Sequence, residues 1–327
     1  MNAQTEQKLL TIAIPTYNRA KDLKSCLSQL CKNLKGSEQL IELLVSDNNS
    51  TDDTEGVVGD FIAKGYRIIY KKNKENIGAS KNFIQCFNMA TAKYLWVMGD
   101  DDLLLNGYLN KIVEILKSGE YGVVHMRSYS YQEDYVAEKP KNTEFNYIIF
   151  DDNAKFIKKA SHTLTFTSSN IVNRDMVDKT IDIDDFAYTN LPHLSWIFSA
   201  LFSAQKNVYI DDFVVAGKPV APNYALCEVF GKNINKIFEF FVGRGIKKEN
   251  FDIINSSLAK NFFPKYILLS REKKVVYETE SYFKMLHPIL KKYMNFWIFT
   301  VPAIELPLFF VRSGYVLTKM VQKIRGR

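Results

Sequence analysis

The sequence lacks the patterns that mark several common kinds of protein. It has no run of about twenty apolar residues, so it predicts no conventional membrane-spanning helix. The first ten residues, MNAQTEQKLL, lack the charged start and apolar core of a secretory signal, so we expect none. The cysteines form no Cys-x-x-Cys pair and do not cluster with histidines. We therefore expect neither a zinc site nor a disulfide framework, and a reducing, cytoplasmic compartment fits best.

Two familiar nucleotide-binding motifs are also missing. The absence of G-x-x-x-x-G-K-[ST] excludes a P-loop nucleotidase, and no G-x-G-x-x-G follows the first apolar run, which disfavours a dinucleotide-binding fold. Residues 251–327 hold thirteen lysines and arginines against five acids. Because these basic residues lie in apolar helical sequence rather than in a recognisable reading motif, we expect no nucleic acid partner.

What is present is a chain with ample apolar sequence for a folded core, since 46% of its 327 residues are hydrophobic. Apolar runs rich in β-formers alternate with helical periodicity over the first 105 residues. The runs are LLTIAI (9–14), IELLVS (41–46), YRIIYK (66–71) and YLWVM (94–98). This alternation predicts β-α-β units and a mostly parallel sheet flanked by helices, in the manner of a Rossmann-like α/β fold.

The pattern loosens beyond residue 105. Further strands are predicted over 121–131, 163–173 and 208–217, and a helix over 190–205 that is entered through a proline. From about residue 222 onward the sequence reads as helical. We therefore predict an α/β domain over residues 1–220 and a helical region over 221–327.

Polar residues follow each of the first four predicted strands. Ligands of open parallel sheets bind beyond the carboxyl ends of the strands, so we expect these polar residues to share one rim. The predicted rim consists of Thr16, Tyr17, Asp47, Asn48, Asn76, Lys81, Asp100, Asp101 and Asp102.

Three consecutive carboxylates after a buried strand suggest a divalent cation. Mg²⁺ and Mn²⁺ prefer oxygen ligands and often use one or two carboxylates together with substrate phosphates. A cation there would neutralise a departing phosphate group. The alternative is an exposed acidic turn that caps a helix beginning at Leu103.

The turn Pro15-Thr16-Tyr17-Asn18 offers an aromatic ring and hydroxyl groups, which suit a stacked base. Asp47 could accept a hydrogen bond from a base edge. Taken alone, Asp47 could equally be an acid at the start of a helix.

Four segments carry a resemblance to a known family: TIAIPTYNRAKDLKSCLSQL, LLVSDNNSTDDTEGVV, NKENIGASKNF and AKYLWVMGDDDLL. Together they resemble the family 2 glycosyltransferases of the GT-A fold over about residues 9–110. The later TNLPHLSWIFSAL and VVAGKP are similar to the branch that contains O-antigen abequosyltransferases. The resemblance implies an inverting enzyme that uses a nucleotide-sugar donor. It implies a nucleoside pocket of Pro15, Thr16, Tyr17 and Asp47, beside Asn18 and Asn76, with Lys81 near the diphosphate and Asp100 to Asp102 in the metal-binding region.

The chain departs from the family pattern at two places. The usual Asp-x-Asp-Asp is here Gly99 followed by the three aspartates, so Asp100 and Asp102, which keep an Asp-x-Asp spacing, are predicted to bind the metal and Asp101 to lie beside the donor. The family's usual general base is an Asp in a Glu-Asp pair, but the corresponding place holds Pro192-His193. We predict His193 as the base, with Asp184 or Asp185 as the alternative.

The C-terminal region predicts a partner. Residues 296–311, FWIFTVPAIELPLFFV, precede a basic amphipathic tail over 312–327, and the two together suit an interfacial membrane anchor. The alternative is a buried helical pair or a homodimer contact. We expect a peripheral enzyme on the inner face of the plasma membrane that acts on a lipid-linked bacterial surface glycan, such as O-antigen or capsule. Rival functions are a sugar nucleotidyltransferase, whose usual Gly-rich loop is missing, and a degenerate nucleotide- or glycan-binding subunit.

Overall fold

The computed structural model describes residues 8–141, 144–218, 225–272 and 281–312. The contacts within the chain divide it into two compact units, Met1–Pro219 and Val220–Arg327. Apart from Arg312, the predicted basic tail lies outside the described residues.

The first unit is built on a sheet with nine strands in the described part of the chain. The strands are β1 (Leu10–Thr16), β2 (Ile41–Asp47), β3 (Ile68–Lys72), β4 (Tyr94–Val97), β5 (Asp102–Leu104), β6 (Val123–Ser130), β7 (Tyr147–Phe150), β8 (Asn170–Asn173) and β9 (Asn207–Gly217). Their order is β3-β2-β1-β4-β8-β6-β9-β5, and β7 also pairs with β9.

The sheet has a parallel half and a mixed half. Strands β3, β2, β1 and β4 run parallel to one another. Strand β8 is antiparallel to both β4 and β6, whereas β6 and β9 are parallel. Strands β5 and β7 are both antiparallel to β9. The predicted α/β class with a helix-flanked sheet is confirmed. The sheet as a whole is mixed, and its parallel half is the one that the apolar runs of the first 105 residues predict.

Helices cover the sheet because their apolar stripes need a partner. They are α1 (Ala20–Asn33), α2 (Thr54–Ala63), α3 (Ala79–Met89), α4 (Tyr108–Ser118), α5 (Asn153–Ala160) and α6 (His193–Ser203). In α1 the stripe Leu23, Cys26, Leu27 and Leu30 is fully buried. Residues at this spacing lie on one face of a helix, so their burial fixes α1 against the parallel half.

The structure corrects two expectations. Residues 163–173 do not form one strand, because only Asn170–Asn173 is extended and residues 161–169 form short 3₁₀ turns. Hydroxyl groups hold these turns, since Thr165 Oγ1 donates to the His162 carbonyl at 2.7 Å. The alternative in which a helix begins at Leu103 is also wrong, because Asp102–Leu104 is strand β5.

The second unit is helical, as predicted. Its α-helices in the described residues are α7 (Ile234–Gly243), α8 (Lys248–Ser257), α9 (Phe263–Arg271), α10 (Tyr282–Leu290) and α11 (Val301–Glu305). Its core includes Phe238 and Phe251, whose rings stack with centroids 4.7 Å apart. None of the helices in the described part of the chain is long and apolar enough to cross a membrane.

Candidate active site

The end of β1 and the turn after β4 meet at the carboxyl edge of the parallel half. Thr16 is the last residue of β1, and its Oγ1 donates to Asp100 Oδ2 at 2.7 Å. Arg19, just before α1, donates from Nη1 to Asp100 Oδ1 at 3.1 Å and to Asp101 Oδ2 at 2.9 Å. The predicted rim residues Thr16, Asp100 and Asp101 are therefore in contact, directly or through this guanidinium.

Asp102 occupies a different environment from its two neighbours. It is the first residue of β5 and pairs with Gly217 on β9. Ser168 Oγ donates to Asp102 Oδ2 at 2.5 Å and accepts from the Gly99 backbone N–H at 2.9 Å. The Ser168 carbonyl in turn accepts from Trp96 Nε1 at 2.9 Å. Ser168 thus ties both ends of the acidic turn to the mixed half of the sheet.

Gly99 stands where the family usually has an acid, and the packing explains the glycine. A Cβ at this position would lie 2.8 Å from Asp102 Oδ2 and 3.1 Å from Asp101 Oδ1. Any side chain here would have to displace at least one of these carboxylates.

Burial dominates the electrostatics of the acidic turn. It raises the pKa of Asp100 to about 6, although the ion pair with Arg19 opposes the rise. Burial also raises the pKa of Asp101, again against Arg19, and raises that of Asp102 well above its usual value, with Asp101 adding to the effect. The three carboxyl groups lie near a single guanidinium, that of Arg19, which contacts Asp100 and Asp101. The fully ionised turn therefore carries more negative than positive charge.

This surplus and the oxygen donors fit a divalent cation. In the described residues, no three His, Cys, Asp or Glu side chains converge on a preformed metal site. A cation that takes one or two carboxylates and completes its shell with substrate phosphates needs no such set. Of the three acids, Asp101 is the most accessible, with 15% of its side chain exposed, whereas Asp100 and Asp102 are buried.

The predicted nucleoside pocket lies along the ends of β1 and β2. Thr16 and Asp47 are aligned in the parallel register. Asp47 is fully buried, with Oδ1 accepting from the Ser50 N–H at 2.8 Å and Oδ2 from the Tyr70 hydroxyl at 2.6 Å. Tyr17, in contrast, is 43% exposed. Each carboxylate oxygen of Asp47 keeps one further lone pair, but the side chain has no exposed surface in this structure.

The neighbouring turns are held by side-chain amides. Asn18 adopts a positive φ of 53° and its Oδ1 accepts from the Thr51 N–H at 2.8 Å, while Pro15 is buried within β1. Asn48 donates to Asn76 Oδ1 at 2.8 Å, which joins the end of β2 to the turn before α3.

Lys81 is exposed in the first turn of α3. It takes part in no ion pair within the described ranges. Its ammonium group is therefore available to a phosphate.

His193 is the first residue of α6 and is 4% exposed. Its Nε2 lies 2.9 Å from the Thr165 carbonyl oxygen. A carbonyl can only accept, so Nε2 carries the proton and Nδ1 has the free lone pair. Burial lowers the pKa of the imidazole to about 4. Asp184 and Asp185 are exposed, on a 3₁₀ segment, Ile183–Thr189, that packs against α3.

Two residues of the site were not singled out from the sequence. Arg19 belongs to the PTYNRA turn after β1, and the shared-rim argument that grouped Thr16 with the aspartates applies to it equally. Ser168 lies 66 residues from Asp102 in a run of small hydroxyl residues, and no local pattern pairs the two.

The protein is thus of the α/β class, with carboxylates, an exposed tyrosine and an exposed lysine at the carboxyl edge of its parallel half-sheet, the edge at which open parallel sheets bind ligands. Residues 11–181, just over half of the chain, match the family model described as Glycosyl transferase family 2. The chain therefore belongs to this family.

Individual relatives match over shorter segments. Abequosyltransferase RfbV of Salmonella typhimurium is 38% identical over 101 residues, which cover 29% of each chain. A GalNAc(5)-diNAcBac-PP-undecaprenol beta-1,3-glucosyltransferase of Campylobacter jejuni is 32% identical over 115 residues, 34% of this chain and 35% of that protein. The matched part thus spans about a third of the length of these relatives.

Solved structures share the fold over most of the chain. S. aureus TarS 1-349 in complex with UDP-GlcNAc has a TM-score of 0.58 at 13% identity, covering 90% of this chain and 91% of TarS 1-349. Mannosyltransferase PcManGT from Pyrobaculum calidifontis, in complex with GDP-Man and Mn²⁺, has a TM-score of 0.51 at 14% identity, covering 96% and 89% of the two chains. At these identities the likeness shows the fold alone.

Proposed function

We propose that this protein is an inverting glycosyltransferase that moves a sugar from a nucleotide-sugar donor to a hydroxyl group of a bacterial surface glycan. The observation that carries the proposal is the contact between Thr16, Arg19 and the acidic turn at the carboxyl edge of the parallel half. This edge is where parallel sheets bind their ligands, and the family membership supplies the reaction class.

The nucleoside is proposed to lie against Tyr17, with Asp47 reading the base and the Asn18 and Asn76 turns framing the pocket beside Pro15 and Thr16. Lys81 would face the diphosphate. The supporting features are the exposure of Tyr17 and Lys81 and the rigid hydrogen bonding of Asp47.

We propose that Mn²⁺ or Mg²⁺ is held by the predicted ligands Asp100 and Asp102 together with Asp101, the most exposed of the three acids. The bound cation would offset charge on the leaving nucleoside diphosphate. Arg19 would keep Asp100 and Asp101 oriented toward the donor. Ser168 would hold Asp102 in place and keep the turn from shifting.

The acceptor hydroxyl must lose a proton as it attacks the sugar. We propose His193 as the base, acting through Nδ1, with Asp185 as the alternative on the exposed 183–189 segment. His193 also has a structural role, because its bond to the Thr165 carbonyl supports the turn that carries Ser168. Mutation of the two candidates separates these possibilities, as described below.

The acceptor is proposed to be lipid-linked and the enzyme to work at the inner face of the plasma membrane. The name of the Campylobacter jejuni relative includes an undecaprenol-linked glycan, which supports a lipid-linked acceptor here. The surface glycan class follows the abequosyltransferase relative.

The test uses the full chain with UDP-, GDP-, CDP- and dTDP-sugars and Mn²⁺. We expect one donor class to raise the thermal midpoint only with the cation, and to release its nucleoside diphosphate slowly without acceptor. Asp101→Asn should lose both effects, while the exposed Asp60→Asn, matched in chemistry, should lose neither. Cation-dependent binding without any release would indicate a degenerate binding subunit instead.

The base is tested on the same preparation once an acceptor is found. His193→Ala should keep cation-dependent nucleotide binding while transfer falls about 10²- to 10⁴-fold. If His193→Ala transfers normally and Asp185→Asn loses activity by that factor, Asp185 is the base and His193 is structural.

A further inference from the structure

We propose that six exposed apolar side chains of the second unit form a docking surface for an anionic lipid bilayer. This apolar surface consists of Met294, Trp297, Ile298, Leu306, Phe309 and Phe310. The inference deepens the proposed lipid-linked acceptor by naming the residues that meet the bilayer, and its test needs neither donor nor acceptor.

Exposure of this size is concentrated in one stretch of chain. The exposed fractions are 71% for Met294, 45% for Trp297, 54% for Ile298, 45% for Leu306, 74% for Phe309 and 62% for Phe310. Among the described residues, fifteen large hydrophobic side chains are exposed, and these six fall within residues 294–310. Single exposed apolar residues are ordinary, but a concentration of them indicates an interaction site.

The face opposite Met294, Trp297 and Ile298 is buried, which fixes the direction of this part of the apolar surface. Phe296 and Thr300 are fully buried and Ala303 is 2% exposed, at the spacing of one helical face. Thr300 Oγ1 donates to the Ala259 carbonyl at 2.5 Å, and Arg271 Nη1 donates to the Ala303 carbonyl at 2.6 Å. This segment is therefore held to the second unit on its buried face and is also apolar on its exposed face. A helix whose exposed face meets only water is normally polar there.

The surrounding charge selects a bilayer over a second copy of the chain. The sequence of residues 281–327 carries eight lysines and arginines, four of them beyond the described residues, and a single acid, Glu305. Among the described basic residues, Lys292 is paired with Asp252 and Arg312 with Glu272. Lys291 precedes the apolar surface in sequence, and Lys260 Nζ lies 5.6 Å from the centre of the Phe299 ring. Two copies meeting here would oppose like charges, whereas anionic headgroups attract them. Tryptophan and phenylalanine at the interface suit the apolar boundary of a membrane.

Tryptophan fluorescence reports on this surface without labelling. The chain has three tryptophans, of which Trp96 and Trp196 are buried and Trp297 is exposed. We expect vesicles of phosphatidylcholine with phosphatidylglycerol to shift the emission to the blue, and lipids brominated on their acyl chains to quench it. Pure phosphatidylcholine vesicles should bind much more weakly. Trp297→Phe should abolish the spectral change while the protein still sediments with anionic vesicles.

The double variant Phe309→Glu/Phe310→Glu should weaken sedimentation with anionic vesicles at least about tenfold, since each buried phenylalanine contributes strongly to partitioning. The control Ile62→Glu/Val136→Glu changes two exposed apolar residues of the first unit, 46% and 62% exposed, and should bind like the parent chain. Equal binding by the two double variants would overturn the proposal. The proposal would also be overturned in favour of self-association by a second result. In that case the parent chain forms a dimer in solution and does not bind vesicles, and the Phe309/Phe310 double variant alone is monomeric.

Discussion

Replacing Asp100 by asparagine should make the protein more stable while removing a group that the proposed cation needs. Asp100 is 5% exposed, and burial raises its pKa from 3.8 to about 6. The folded state therefore binds this proton more tightly than the unfolded state does. The contribution of Asp100 to the free energy of unfolding should therefore fall as pH rises from about 4 to about 6, and should level off above that range.

The size of the effect follows from the shift. Each pKa unit corresponds to about 1.4 kcal/mol, so a rise from 3.8 to about 6 costs the ionised wild type about 3 kcal/mol. Asparagine has nearly the shape of the neutral acid and cannot ionise. For a domain of this size, the gain corresponds to roughly 6–12 °C in the thermal midpoint above pH 6.

The assay is thermal unfolding of Asp100→Asn and the wild type between pH 4 and pH 8, without divalent cation. The difference in midpoint should grow from near zero at pH 4 to its plateau above pH 6, and cation-dependent nucleotide binding should weaken in the variant. Asp60→Asn, at an exposed position, should follow the wild type within about 0.5 kcal/mol throughout. A difference that is absent, or that does not change with pH, would refute the account of a buried, destabilised carboxylate.

The remaining predictions concern the neighbours of the acids. Arg19→Gln removes the guanidinium that opposes the rise in the pKa of Asp100. The pH midpoint of Mn²⁺-dependent nucleotide binding should therefore rise by about one unit, and binding should recover at higher pH. If binding recovers at no pH, Arg19 does not act through the pKa of Asp100. Ser168→Ala leaves the Gly99 N–H without its acceptor and should lower the free energy of unfolding by about 1–3 kcal/mol in urea titrations. The adjacent Ser169→Ala is the matched control, because the buried Ser169 hydroxyl has no hydrogen-bond partner among the residues that the structure describes, and its loss should cost little.

Much of the first unit could be predicted because short stretches of its sequence identify the strands of the parallel half. Parallel strands buried on both faces read as short apolar runs, and all four runs of the first 105 residues are strands of the parallel half. The rim followed from the same geometry, since parallel strands end at one edge. That reasoning predicted that Thr16 and Asp100 lie at one rim, and the two side chains are hydrogen-bonded although they are 84 residues apart in sequence.

The mixed half could not be read in this way. Strand β7, Tyr147–Phe150, is an apolar run of β-formers that the sequence analysis did not single out, and its side chains are largely exposed. The prediction of a strand over 163–173 fails at its start, because serine and threonine suit both strands and turns and their hydroxyl bonds to nearby carbonyls hold 3₁₀ turns here. The contact between Ser168 and Asp102 depends on the position of these turns in the fold, and no residue spacing in the sequence predicts that position.

Gly99 carries a consequence for protein engineering. Placing an acid at this position would not simply add a metal ligand, because its Cβ would press on the oxygens of Asp101 and Asp102. A redesign of this turn should therefore exchange Gly99, the three aspartates and the supporting Ser168 together, since a single substitution at Gly99 forces the neighbouring carboxylates to move.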